Sequence, residues 1–189
     1  MNTHEDAPTI QSERLSMRSL TNADEAFYCS LYEDAQVMRH VGEPLEHDAA
    51  LDGFRKCLEG MGKSEFERRI VVLLERATQQ PIGISSVRML RGKPGHAEVG
   101  TLLKPGMHDK GFAMECSTAL ITQAFSRPQV TTLVAHSTEG NTAVERLLTE
   151  LGFTRGGTRG ACDGQPARTS WTIDRDTWAK RASGAAKSK

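Results

Sequence analysis

Apolar and polar positions alternate, cluster and recur along this chain in a way that marks out its elements in order. "RLSMRSL" sets Leu15, Met17 and Ser19 against polar neighbours with a period of two, the pattern of a strand. Thr21 to Asp24 then resembles a capping box opening the helix "ADEAFYCSLYED", and a second helix is predicted from about His47 to Met61, with Leu51, Phe54 and Leu58 at helical spacing. "RRIVVLLE" is a β-branched block, "ATQQPIG" a turn and "IGISSVRML" a second extended run, so residues 69 to 90 are predicted to form an antiparallel hairpin.

"RGKPG" breaks the chain, and "HAEVGTLL" adds a third strand to this sheet. After "KPGMHDK" a helix places Ala113, Cys116, Leu120 and Ala124 on one face, and "TTLVAH" is a short strand ending near His136. Strand, helix and strand with a connection of this length predict a right-handed βαβ unit with parallel strands. Asn141 is a natural N-cap for "TAVERLLTELG", where Val144, Leu147, Leu148 and Leu151 form a core stripe and Gly152 a C-cap. Phe153 begins another strand, "RGGTRGACDGQ" loops out, "ARTSWTI" returns as the last strand, and "DRDTWAKRA" is a short helix. Residues 1–8 read as a loose leader, 9–182 as one domain and 183–189 as a disordered basic tail.

The chain has 189 residues, 38% of them hydrophobic, enough for one domain with a substantial core. Its 24 basic residues balance 24 acidic ones, so the global charge attracts neither nucleic acid nor an anionic membrane. No run of 18 apolar residues exists and the N-terminus carries no apolar signal region, so the expectation is a cytoplasmic protein. Cys29, Cys57, Cys116 and Cys162 show no Cys-x-x-Cys or Cys/His ligand spacing; free thiols in a reducing compartment are expected, and no metal site.

"HDKGFAME" joins a strand to a helix N-terminus through a glycine, a weak signal for phosphate binding. Asp109 leaves two readings open there. It is either a side-chain cap that takes the place of a phosphate, or a negative charge beside one.

The order of elements says more than that turn. "AEVGTLLKP", "HDKGFAMECSTALITQAF", "GNTAVERLLTELGF" and a last strand with Trp171, together with the opening "ERLSMRSL", resemble the GCN5-related N-acetyltransferase (GNAT) superfamily over residues 10 to 180, and within it the RimJ/RimL-type group. The resemblance implies an α/β fold with a central mixed, mostly antiparallel sheet of six to seven strands, a splayed parallel pair and about four flanking helices. It implies acetyl-CoA (coenzyme A) as cofactor. The family motif of Gln or Arg, two residues, Gly, one residue and Gly or Ala falls on His108, Asp109, Lys110, Gly111, Phe112 and Ala113. Gly111 and Ala113 match; His108 stands for Gln or Arg, and Asp109 for a frequent glycine. By the same resemblance, backbone groups of Leu102 and Leu103 pair with pantetheine. Asn141 holds the pantetheine end or serves only as helix cap. Arg146 matches a recurrent arginine or belongs to a solvated face.

Amine acetylation needs a neutral amine, donors for a developing oxyanion and a proton for the leaving thiolate. Glu98, an acid inside an apolar strand, is the first candidate base, with a structural pairing to Arg88 as its alternative; His136 is the second. An N–H near Leu103 is the expected oxyanion donor, and Gly100 marks an expected bulge. The positions where relatives carry a proton donor hold Val144 and Leu148, which cannot supply one. The expected activity is therefore acetyl transfer to a primary amine, whether a peptide N-terminus, an amino acid or a small amine such as an antibiotic. The rival is a GNAT-like module that senses or binds CoA without catalysis. The acceptor region, about residues 24 to 62 with the loops near 90 and 160, brings Arg39, His40, Glu43, Glu46 and Asp163, of mixed sign. A homodimer is common in the resembled group.

Overall fold

The computed structural model describes residues 9–63, 67–161 and 167–186. Along the chain run β1 (Ile10–Gln11), β2 (Leu15–Ser19), a 3-10 turn (Asn22–Asp24), α1 (Glu25–Glu33), α2 (Ala35–Met38), α3 (His47–Lys63), β3 (Arg68–Glu75), β4 (Pro81–Met89) and β5 (His96–Leu103). They are followed by α4 (Phe112–Phe125), β6 (Thr132–Thr138), α5 (Thr142–Glu150), β7 (Thr154–Arg159), β8 (Arg168–Asp174) and α6 (Arg175–Ala186). The eight strands exceed the predicted six to seven, and the six helices the predicted four. The surplus includes two short pieces: β1 has two residues and α2 four, too few for either period to show. The last helix reaches Ala186, past the tail boundary expected at 183. The leader 1–8, Cys162, Asp163 and residues 187–189 lie outside the described residues.

The strands form one sheet in the order β1-β2-β3-β4-β5-β6-β8-β7, antiparallel everywhere except between β5 and β6. That parallel pair is the consequence of the α4 crossover, since a helix that carries the chain back along the sheet returns it in the same direction. The ladder between them is short, His96↔Thr132, Ala97↔Leu133 and Glu98↔Val134, after which the strands part. From Val99 to Leu103, β5 is paired with β4 alone. No bulge at Gly100 causes this, contrary to the sequence expectation: the β4–β5 register runs unbroken from Met89↔Ala97 to Gly83↔Leu103. The register shift in this part of the sheet lies between Leu73 and Leu74 instead.

Strand alternation divides the core between the two faces. Leu15, Met17, Val71, Leu73 and Leu103 pack beneath Phe112, Cys116 and Leu120 of α4. Ile70, Val72 and Ile84 face α1 and α3 through Tyr28, Leu31 and Phe54. A third cluster joins Leu133, Ala135, Trp171 and Ile173 to Leu148, Leu151 and Trp178. Gly152 (φ 86°) ends α5 as predicted, its N–H donating to the Thr149 carbonyl and that of Phe153 to Leu148.

Candidate active site

Where the β5–β6 ladder ends, a cleft of about 880 Å³ opens through the sheet. Its backbone chemistry follows from the register. Lys104 N–H donates to the Ile82 carbonyl, and Leu102 stands opposite Ile84 in the same ladder, so the even-numbered backbone groups of β5 are directed at β4. The N–H and C=O groups of Val99, Thr101 and Leu103 therefore point into the splay. Of the two leucines expected to offer backbone groups there, Leu103 does so and Leu102 does not; its groups are spent on β4.

At the far end of the cleft the turn between β5 and α4 contains three left-handed residues, Gly106 (φ 78°), Asp109 (φ 59°) and Gly111 (φ 79°). Gly111 is the N-cap of α4, and no side chain caps that helix. Its first N–H groups are open to an anion, with the positive end of the helix dipole behind them. Asp109 is thus not the cap considered from sequence. It occupies a backbone conformation that glycine adopts freely and Asp tolerates better than most residues, which accounts for Asp at a position where the family often has glycine.

The turn is held from outside by Arg14. Its guanidinium donates to the Lys110 carbonyl at 2.9 Å and lies 4.7 Å from the centre of the Phe112 ring. Glu115 in the first turn of α4 in turn accepts from Arg14 N at 2.6 Å, Arg14 Nε at 2.8 Å and Ser12 Oγ at 2.7 Å. Phe112 is buried in the core and Lys110 is exposed away from the cleft lining, so neither side chain meets the cleft; these two expected site residues offer only main-chain groups.

On α5, Asn141 is the N-cap, its side-chain oxygen accepting from Val144 N at 3.2 Å, and it also borders the cleft. Arg146 projects from the exposed face of the same helix into the cleft rim and makes no ion pair among the described residues. Val144 and Leu148 line the wall between them.

Glu98 sits at the point where the ladder ends, and one carboxylate oxygen receives the Arg88 guanidinium at 2.7 Å. Its side chain remains 30% exposed. His136 is exposed on β6 and faces the same space. The opposite wall comes from α1, α2 and β3: Tyr32, Gln36, Arg39, His40, Arg68 and Ile70. Burial raises the Tyr32 phenol and outweighs the opposing effects of the Tyr28 hydroxyl and the Arg68 charge. Cys116 is no nucleophile, because burial pushes its thiol up to about 11.

A family model described as an acetyltransferase (GNAT) domain matches residues 14–154. The chain belongs to that family. YoaA, an uncharacterised N-acetyltransferase of Bacillus subtilis (strain 168), is 25% identical over 152 residues, 79% of this chain and 85% of that protein. Among solved structures, spermidine N-acetyltransferase from Vibrio cholerae in complex with CoA and spermine is similar with a TM-score of 0.75 and 20% identity, covering 89% of this chain and 99% of that one. The ribosomal L7/L12 alpha-N-protein acetyltransferase RimL in complex with CoA is similar with a TM-score of 0.76 and 14% identity, covering 90% and 99%. At these identities the structural likeness speaks for the fold.

In this GNAT acetyltransferase domain the cleft brings together Glu98, Leu102, Leu103, His108, Asp109, Gly111, Ala113, His136, Asn141 and Arg146 of the residues singled out from sequence. Lys110 and Phe112 are set aside from its lining. Tyr32 and Arg68 were missed, since a tyrosine on the first helix and an arginine at a strand start carry no local mark of facing a cleft. Arg14 and Glu115 were missed because their pairing spans most of the chain. No helix among the described residues is long and apolar enough to cross a membrane.

Proposed function

We propose that this domain transfers the acetyl group of acetyl-CoA to a primary amine by direct attack in a ternary complex. The observation that carries the reading is the early end of the β5–β6 ladder at Glu98↔Val134, which leaves main-chain donors of Val99, Thr101 and Leu103 along a cleft that terminates at an uncapped helix N-terminus. A pantetheine chain is an extended amide strand and fits an unpaired strand edge. A pyrophosphate fits free N–H groups at a helix start, with Arg146 beside it as a counter-charge. The residues that would hold the cofactor are then the main chain of Leu103 and of 108–113, the Asn141 side-chain amide and Arg146.

When bound, acetyl-CoA supplies an activated thioester carbonyl. Glu98 is the residue to take the proton of the incoming ammonium: Arg88 occupies one of its oxygens and orients the other. The exposed His136 across the splay is the alternative base. The splay-facing N–H groups of β5 stabilise negative charge on the carbonyl oxygen. The α5 side chains Val144 and Leu148 offer no proton, so the thiolate would leave unassisted, which a thiol pKa near that of cysteine, about 8.5, makes tolerable. The likeness to RimL supports the RimJ/RimL-type grouping and, with it, α-amines among the acceptors. Cys29, Cys57 and Cys116 are free and buried, which supports a reducing, cytoplasmic setting.

Calorimetric titration with acetyl-CoA, followed by thiol release with amine acceptors, tests the reading. No binding at millimolar cofactor overturns it; binding without release from any amine favours the non-catalytic CoA-binding module.

A further inference from the structure

The charge of the cleft is uneven, and the unevenness bears on the acceptor. On the wall formed by α1, α2 and β3, the cleft is lined by Arg39 and Arg68 and by no carboxylate among the described residues. Glu98 faces that wall, yet its charge is already met by Arg88 at 2.7 Å. Arg68 is the odd member of this set. It is half-buried, its Nε is buried without a hydrogen-bond partner, and its side chain makes no ion pair among the described residues. The Tyr32 phenol lies near enough for the Arg68 charge to act on it, so two donors, one of them cationic, share this part of the wall.

Register places this arginine relative to the chemistry. Arg68 stands opposite Arg88 on β4, and Arg88 opposite Glu98 on β5, so the three form one row on one face of the sheet. Two strand spacings, roughly 10 Å, separate the backbones of Arg68 and Glu98, a gap that the long Arg68 side chain shortens. The row lies five residues along β5 from Leu103, after which the phosphate turn begins, a distance of roughly 17 Å. Arg68 therefore belongs to the acceptor half of the cleft and is not placed to serve the cofactor phosphates.

We infer that the acceptor is an amine that also carries a carboxylate, and that Arg68, aided by Tyr32, binds that carboxylate while the amine is presented to Glu98. The inference rests on the acetyltransferase reading above. Guanidinium and carboxylate match in planar, bidentate geometry, and burial of the Arg68 Nε raises the value of a partner that satisfies it. A polycationic acceptor meets Arg39 and Arg68 with no compensating carboxylate on that wall. Two sources offer the required chemistry: a free amino acid through its α-carboxylate, or a peptide N-terminus through an acidic side chain close to it.

The test is CoA-thiol release by the full chain, run beside calorimetric binding of acetyl-CoA. The acceptors are the common amino acids, their carboxamides, peptides with an amidated C-terminus that begin with acidic or neutral residues, and spermidine. The expected result is a kcat/KM for carboxylate-bearing acceptors at least about tenfold above that of their carboxamides and of spermidine. Arg68→Gln should raise KM for those acceptors about tenfold with kcat little changed, leave the carboxamides unaffected, and be partly rescued by Arg68→Lys. Preference for free amino acids identifies the α-carboxylate; preference for acidic peptides identifies the side chain. Carboxamides or spermidine used as well as the acids, no acid used although acetyl-CoA binds, or equal losses for both classes in Arg68→Gln would each overturn the inference. Failure of acetyl-CoA to bind overturns the acetyltransferase reading instead.

Discussion

Glu115 accepts both the main-chain N–H and the guanidinium of Arg14, at 2.6 and 2.8 Å, across 101 residues of sequence. Through this pair the strand edge before β2 braces the turn that opens α4, because the same Arg14 also holds the Lys110 carbonyl. Arg14→Ala should lower stability by about 1 kcal/mol, the low end for charged hydrogen bonds since Arg14 is 45% exposed. It should also weaken acetyl-CoA several-fold with kcat nearly kept. Thermal melts and calorimetric titration measure the two effects; a loss of stability with unchanged affinity would separate the brace from the cofactor.

The same pair sets a pH dependence. Burial alone would raise the Glu115 carboxyl, but the hydrogen bonds from Arg14 N–H, Ser12 and the Arg14 side chain outweigh it and hold it below the usual range. A depressed carboxyl contributes its stability in full above the unfolded value, about 4.3, and loses it as pH falls through the lower folded value. Melting temperature should therefore drop on acidification below about pH 4, and Glu115→Gln, less stable at neutral pH, should drop less steeply over that window. Parallel melts of the two proteins from neutral to acid pH decide this.

Asp109→Gly should tighten acetyl-CoA binding at low salt by about 1 kcal/mol, or roughly fivefold, and high salt should erase most of the gain. Stability should hold, since Asp109 caps nothing and sits at φ 59°, a conformation glycine adopts without strain. Asp109→Ala should instead cost about 1 kcal/mol of stability, because it keeps a Cβ in the left-handed region without the polar group that eases it there. Calorimetric titration at two salt concentrations, paired with melts, reads both.

Glu98→Gln should cut turnover by about a hundredfold while acetyl-CoA affinity stays within a factor of two. Unchanged turnover would remove Glu98 as the base and leave His136, for which His136→Gln is the matching variant.

Two glycines, Gly83 on β4 facing β5 and Gly100 within β5, should behave in opposite ways. A Cβ on Gly83 would run into the Leu102 carbonyl oxygen and stand 2.8 Å from Leu103 Cδ2, so Gly83→Ala should cost about 1–3 kcal/mol and disturb the strand that carries the splay-facing donors. A Cβ on Gly100 meets nothing within 4 Å, and Gly100→Ala should change stability by less than about 0.5 kcal/mol. That methyl projects into the cleft, and a raised KM for the acceptor is the expected signature. Melts and steady-state kinetics on both variants provide the check.

The order and type of the elements were legible in the sequence because they depend on neighbours a few residues away. The β-branched run Ile70–Val72 and the turn at Thr78–Gln80 specify a hairpin by themselves, and Asn141 and Gly152 mark the ends of α5 by local hydrogen bonding and backbone conformation. The βαβ pattern dictated the parallel pair, and the motif at 108–113 pointed to the helix N-terminus that borders the cleft. Only the tertiary structure decided how far that parallel pair stays together, since the end of the ladder at Glu98↔Val134 depends on how two packed layers pull the strands apart. It also decided that Asp109 takes a glycine-like conformation instead of capping, that Phe112 turns into the core, and that Arg14 and Arg68 reach the phosphate turn and the cleft. Those outcomes rest on contacts between residues far apart in the chain, whose side-chain directions follow from sheet register and helix packing, and no local pattern of polar and apolar residues encodes either.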